Sequence, residues 1–200
     1  MADIHVSFDI ETLHTRPDGV ILSIAAAARV DGEVATFYSH CNIESQTARV
    51  VSDDTLAWWK KNTDLFAKTL TECKEAPDLS EVLGHLTVWY GSLGTDKDRL
   101  YPWGNGADFD IAFLEHAYSQ CGYEPPWAFW MARDLRTVKH VAIEIGGHEP
   151  VKRDALKQVE ALELALAAID RDPLGAREEI SGMLLFLRSQ HELEEPYDNR

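Results

Sequence analysis

Phe8-Asp9-Ile10-Glu11-Thr12 sets two carboxylates two residues apart at the end of a short apolar run. In an extended strand residues i and i+2 point to the same face. Asp9 and Glu11 would then stand side by side, repelling each other unless a cation lies between them. Hard divalent ions such as Mg²⁺ and Mn²⁺ prefer oxygen donors of this kind, although an Asp-x-Glu pair on a solvated strand end needs no ion. A third carboxylate lies a hundred residues on, in Trp103-Gly104-Asn105-Gly106-Ala107-Asp108-Phe109-Asp110. This segment reads as strand, glycine turn and helix start. Asp108 suits a plain helix cap, since the helix dipole favours a carboxylate in the first turn. Asp110, two residues deeper between Phe109 and Ile111, can reach a site that the turn glycines leave open.

The elements that must carry these groups follow from patterning. Ile4 to Asp9 is strand-like, Arg16-Pro17-Asp18-Gly19 is a turn, and Val20 to Val30 is apolar enough for a strand covered on both faces. Asp31-Gly32 offers a hairpin turn into a third strand, Glu33 to His40. Ser52, Asp53 and Asp54 cap and charge a helix that runs to Lys61. Further helices are expected over Asp64–Cys73, Asp78–Tyr90, Asp108–Cys121 (ended by Gly122), Leu135–Ile145, Lys152–Ile169 and about Gly175–Glu192. Leu100 to Trp103 is a fourth strand. A β-meander followed by helices, a strand and more helices predicts an α/β domain with a mixed sheet flanked by helices. No repeat, low-complexity tract or linker divides it.

Bulk properties narrow the function. The chain has 200 residues, 45% of them hydrophobic and 26% charged, an ordinary composition for a soluble globular domain. No apolar run reaches the roughly 18 residues that span a membrane, and the start lacks the pattern of a secretory signal. Cys41, Cys73 and Cys121 lie far apart, which argues against a zinc cluster and fits reduced thiols, so a cytoplasmic location is expected. The formal net charge of −15 opposes broad contact with a polyanion. A nucleic-acid ligand would be met locally, at a strand end beside a cationic metal site, with weak, salt-sensitive and distributive binding. The absence of GxxxxGK[ST], GxSxG and HExxH sequences removes the usual NTPase, serine hydrolase and zinc protease readings.

Taken in order, Phe8-Asp9-Ile10-Glu11-Thr12 and Gly104-Asn105-Gly106-Ala107-Asp108-Phe109-Asp110 resemble the first two motifs of the DEDD (DEDDh-like) 3′–5′ exonucleases of the RNase H-like superfamily. Ile21-Leu22-Ser23-Ile24-Ala25, Thr55-Leu56-Ala57-Trp58-Trp59, Trp103-Gly104-Asn105-Gly106 and Arg133-Asp134-Leu135-Arg136-Thr137 resemble one branch, the exonuclease VIII and RNase AS-like proteins often encoded by phages and prophages. The resemblance covers roughly residues 3 to 170, with a C-terminal helix and tail over 171–200 packed on the same domain. It implies a two-metal hydrolase. Asp9, Glu11 and Asp110 would hold two Mg²⁺ or Mn²⁺ ions roughly 4 Å apart, one generating hydroxide and one stabilising the leaving 3′ oxygen. Nucleoside 5′-monophosphates would be released from the 3′ end of single-stranded DNA or RNA. Asn105 and the Pro-flanked Trp127 are the substrate-binding candidates, Trp127 by stacking on a base. Arg133 and Arg136 can meet a phosphate or pair with the surplus of acid. The resemblance is also compatible with a homodimer.

The third motif of these families, a histidine and an aspartate with four residues between them at the start of the last core helix, is degenerate here. In the best register Arg153 stands at the histidine position and Gln158 at the aspartate position. Arginine cannot act as a base near neutral pH, and a glutamine oxygen is a poor replacement for a carboxylate. His148 as base and Asp154 as metal ligand offer a shifted substitute with five intervening residues, and Glu160 is a weaker candidate. Two expectations therefore stand: a metal-dependent 3′–5′ exonuclease, or a catalytically impaired relative that binds a nucleic-acid end or a protein.

Overall fold

A computed structural model describes residues 3–94 and 99–144. Five strands form one mixed sheet in the order β3-β2-β1-β4-β5. They are β1 (Ile4–Thr12), β2 (Ile21–Val30), β3 (Glu33–His40), β4 (Leu100–Gly104) and β5 (Arg133–Asp134). The first three are an antiparallel meander, with Phe8 opposite Ala26 and Ala26 opposite Phe37. Asp31 (φ 51°) and Gly32 (φ 86°) make the turn between β2 and β3, as an Asp-Gly pair between two β-branched runs predicts. β4 then enters parallel to the other side of β1, with Ile4 opposite Leu100 and Phe8 opposite Gly104, and β5 adds two residues beside Trp103 and Gly104.

The helices are α1 (Asp53–Trp59), α2 (Thr63–Lys74), α3 (Leu79–Ser92), α4 (Asp110–Gln120) and α5 (Leu135–Glu144). Ser52 caps α1 through its hydroxyl, which accepts from the Thr55 amide, as expected from its position before Asp53 and Asp54. Leu79, Val82, Leu83, Leu86 and Tyr90 of α3 and Ile111, Phe113, Leu114, Ala117 and Tyr118 of α4 are buried against Val6, Phe8, Ile10, Ile24 and Ala26 of the sheet. A smaller cluster joins Leu13, Val20 and Leu22 to Trp59, Phe66 and Cys73 of α1 and α2. The alternation of β1 separates Val6, Phe8 and Ile10, which feed the larger core, from Ser7, Asp9 and Glu11 on its other face.

Two differences from the patterning are informative. The two-residue strand β5 is too short to leave an alternation signal, and the patterning predicts no strand there. The helix after the glycine turn begins at Asp110, not at Asp108. Gly106 adopts φ 117°, and its carbonyl accepts from both Phe109 and Asp110. The turn thus consumes residues 106–109, and Asp108 is an exposed turn residue with no capping role. Among the described residues, those through Leu135 belong to one compact unit and those from Arg136 to a second. The expected helices over 152–169 and 175–192, and the expected boundary at 170, lie outside the described residues.

Arg49 fastens the segment before α1 to the helix that carries Asp110. Its guanidinium is buried (8% exposed). It donates to the carbonyls of Gly19 (2.6 Å) and Pro17 (2.6 Å) and to Gln120 Oε1 (2.8 Å), and lies 3.3 Å from His116 Nδ1 on α4. Burial lowers its pKa, and the nearby Asp18 opposes that change. Arg49→Met keeps the stem and removes the donors, leaving buried acceptors unsatisfied at about 1–3 kcal/mol each. The variant is expected to lose roughly 2–4 kcal/mol in urea unfolding at unchanged m-value. A loss under about 0.5 kcal/mol would show that Arg49 is dispensable to the packing of α4.

Candidate active site

The site is built where β4 stops and β1 continues. β4 ends at Gly104 opposite Phe8, whereas β1 runs on to Thr12. The amide of Ile10, which a longer β4 would have paired, donates instead to Asp110 Oδ1 at 3.3 Å. The other carboxylate oxygen of Asp110 accepts from the Asn105 amide at 3.0 Å. Asp110 therefore acts as a side-chain extension of β4. It is pinned by one donor from each side of the gap and is only 4% exposed.

Glycine makes this approach possible. A Cβ on Gly104 would sit 3.1 Å from both the Asp110 Cβ and the Ala107 Cα, closer than such contacts normally come. Any side chain there would push the start of α4 away from β1. The turn is held from its far side by Asp134 of β5, whose Oδ2 accepts from the Ala107 amide at 2.8 Å. At the other end of the gap the Trp59 indole donates to the Thr12 carbonyl at 2.9 Å, fixing α1 beside the end of β1.

Asp9 and Glu11 stand on one face of β1, opposite Ala25 and Ser23 of β2. Asp9 is half-buried and Glu11 exposed. The pKa of Asp110 is raised to about 7, first by burial and then by the neighbouring Asp9 carboxylate, against the lowering influence of the Ile10 and Asn105 amides. Two carboxylates close enough to disturb each other's ionisation, one of them out of water, form a site that a cation would relieve. Their oxygen-only chemistry fits Mg²⁺ or Mn²⁺. The fit is partial, because no set of three or more His, Cys, Asp or Glu side chains among the described residues is grouped to hold a metal ion. Asp9 acts electrostatically on Asp110, and Glu11 stands on the same face of β1 as Asp9.

The other candidates separate clearly. Asn105 is at the site through its main chain, which orients Asp110. Trp127 does not present a stacking surface, which corrects the expectation from its Pro-flanked position. Its ring packs among Phe8, Tyr90 and Tyr118 at centroid distances of 5.2, 5.5 and 6.0 Å. Its indole nitrogen donates to Glu115 Oε1 at 3.2 Å. Arg133 lies over the Tyr101 ring, 4.9 Å from its centroid, and donates to the carbonyls of Trp130 and Ala132. His148, Arg153, Asp154, Gln158 and Glu160 lie outside the described residues. Sequence reasoning gave no role to Asp134 or Trp59, although both fall inside motifs it singled out. The missing signal was the partner, since each side chain bonds to main chain distant in sequence.

Mixed-sheet topology, flanking helices and carboxylates at the end of the central strand define an α/β nuclease fold of the RNase H-like class. The chain belongs to the 3′–5′ exoribonuclease Rv2179c-like domain family, whose model matches residues 4–170. No curated protein matches it. Among solved structures, product-bound exonuclease I superposes with a TM-score of 0.62 at 12% identity, covering 90% of this chain and 46% of that one. The zinc-bound form of the E. coli exonuclease I–single-stranded DNA complex gives 0.60 at 15% identity, covering 90% and 43%. Exonuclease X with 5′-overhanging duplex DNA gives 0.50 at 15%, covering 86% and 95%. The chain spans less than half the length of the exonuclease I chains it matches. At these identities the likeness shows the fold.

The Asp9–Asp110 pair makes a prediction about stability. Asp110 titrates near 7 when folded and near the ordinary 3.8 when unfolded, so the folded state holds the proton more tightly. Its contribution is fully present below the unfolded value and is lost as pH rises through the folded one. Metal-free protein should therefore lose thermal stability between about pH 4 and pH 7. Asp9→Asn should shrink that loss without abolishing it, because burial is the larger cause. Saturating Mn²⁺ should raise the wild-type melting temperature by roughly 5–10 °C at pH 7.5, and the Asp9→Asn protein by much less. Equal stabilisation of both would place the cation elsewhere.

Proposed function

We propose that this chain is a divalent-metal-dependent 3′–5′ exonuclease that shortens single-stranded RNA or DNA from its 3′ end and releases nucleoside 5′-monophosphates. The supporting observation is the buried Asp110 carboxylate, set into the gap beside β1 next to Asp9 in a chain of an exoribonuclease-domain family. Exonuclease I and exonuclease X, which share the fold, are seen bound to DNA. The motif resemblance to the exonuclease VIII and RNase AS-like branch agrees with an end-directed activity.

Asp9, Glu11 and Asp110 are the residues that would hold Mg²⁺ or Mn²⁺. Bound there, a divalent ion lowers the pKa of water and stabilises the leaving oxygen. The protein's own part is orientation. The Ile10 and Asn105 amides fix both oxygens of Asp110, and Asp134 fixes the turn that carries it. The cation also answers a charge problem. A chain of net charge −15 repels a polyanion, so a phosphodiester is met favourably only where a local positive charge outweighs that field. His148 is the proposed base and Asp154 a proposed ligand. A second reading rests on Arg153 and Gln158 at the positions of the third motif: a chain that retains end binding and has lost hydrolysis, with the Arg153 guanidinium supplying part of the metal's charge.

The test is nucleotide release from 5′-labelled single-stranded RNA and DNA with Mn²⁺, beside an Asp9→Ala, Glu11→Ala double variant. Shortening from the 3′ end is expected, with at least a 10²-fold loss in the variant, the size of effect seen when charge stabilisation is removed from a transition state. Retention of labelled strand without shortening would decide for the binding reading. Neither binding nor shortening by folded protein would overturn both.

A further inference from the structure

Away from the carboxylate site, the C-terminal half of α4 and the segment after it enclose a cleft of about 580 Å³. Its walls are aromatic and acidic. Tyr123, Phe129 and Trp130 line it at 48%, 80% and 62% exposure, large values for aromatic side chains. Phe129 and Trp130 meet edge to face, 5.0 Å between centroids at 87°, so each ring braces the other while keeping a face open. Glu115 and Glu124 supply carboxylates. Glu115 is held in place by the indole of Trp127, whose nitrogen donates to it at 3.2 Å. Among the described residues, no Lys, Arg or His lines it. Arg133 reaches the Trp130 carbonyl with its guanidinium over Tyr101, turned to another ring.

Electron-rich ring faces beside the Glu115 and Glu124 carboxylates repel phosphate and attract a positive charge. A ring face and a carboxylate stabilise the same cation from two sides, one through its quadrupole and the other through Coulomb attraction. Arginine fits this best, because its planar guanidinium stacks on an aromatic ring while bonding to a carboxylate in its plane. We propose that this cleft binds an arginine or lysine side chain presented by a peptide segment of a partner protein. It would tether the chain to a basic partner on a surface separate from the nuclease site. Charge complementarity selects this occupant over a nucleic-acid strand, whose backbone would have to pass both glutamates.

The probe is the capped peptide acetyl-Gly-Arg-Gly-Arg-Gly-amide, titrated into the full chain and followed by amide NMR shifts. The comparison peptide carries neutral citrulline in place of arginine. Shifts are expected to concentrate at residues 122–130, with Kd on the order of 0.1–1 mM for one or two such contacts and no binding of the citrulline peptide over the same range. Trp130→Ala and Glu124→Gln should each weaken binding about fivefold or more. Glu33→Gln, an equal charge loss on the exposed β2–β3 turn, should change it less than twofold. Trp130 is exposed and its replacement leaves the core intact, so loss of binding in that variant reports on the cleft. Shifts spread evenly over acidic surface residues, equal loss in Glu33→Gln, or no binding at 10 mM peptide would overturn the proposal. So would shifts at 122–130 produced by oligothymidylate and not by the peptide.

Discussion

The structure depends on a carboxylate standing in for a missing stretch of strand. β4 ends four residues short of the reach of β1, and the Ile10 amide exposed by that mismatch bonds to Asp110. A buried amide without a partner is costly, so the bond has structural value of its own. Yet the group chosen is one whose charge is unwelcome in that position: its pKa stands near 7, raised by burial and by Asp9. A neutral acceptor would satisfy the two backbone amides at less cost. Retaining a carboxylate makes sense where its charge is used, and strained ionisation of this kind concentrates at functional sites.

Everything else around the site serves that placement. Gly104 has no side chain because the Asp110 Cβ comes within 3.1 Å of where one would begin. Asp134 holds the turn, Trp59 holds the end of β1, and Arg49 ties α4 to the loop that leads into α1. These bonds are all between side chain and distant partner, so they add tertiary constraint where the local segments supply little. The helix α4 illustrates this. It has no side-chain cap at Phe109, and its first turn is defined by the Gly106 carbonyl and by the carboxylate it delivers to β1.

How much of this was legible in the sequence follows from range. The meander, the capped α1 and the amphipathic α3 are short-range patterns, and they appear with boundaries within a few residues of those expected from periodicity and turn chemistry. The shared face of Asp9 and Glu11 and the placement of Asp110 beside β1 were legible because strand alternation and the glycine turn are also local. What escaped was long-range. Asp108 looked like a cap because capping rules see four residues, whereas the turn ahead of α4 is shaped by Gly106 and by Asp134 from another strand. Trp127 looked like a stacking residue because its prolines suggest a surface loop. Its burial depends on Tyr90 and Tyr118 from two helices meeting Phe8 of β1. A two-residue strand such as β5 carries no periodicity at all.

The charge distribution connects the two surfaces considered above. A strongly acidic chain that handles a polyanion must hold the substrate through a few strong, local interactions, because general electrostatic attraction is absent. Such a chain gains from a second contact that brings it to its substrate by other means, since tethering raises effective concentration without adding contacts at the reacting end. An aromatic, acidic cleft suits that purpose where a basic groove would not. As proposed, it would repel the product strand and favour cationic protein segments, and α4, whose first residue enters the carboxylate site, supplies one of its walls. One helix would then carry the catalytic carboxylate at its N-terminal end and the recruitment surface toward its C-terminal end.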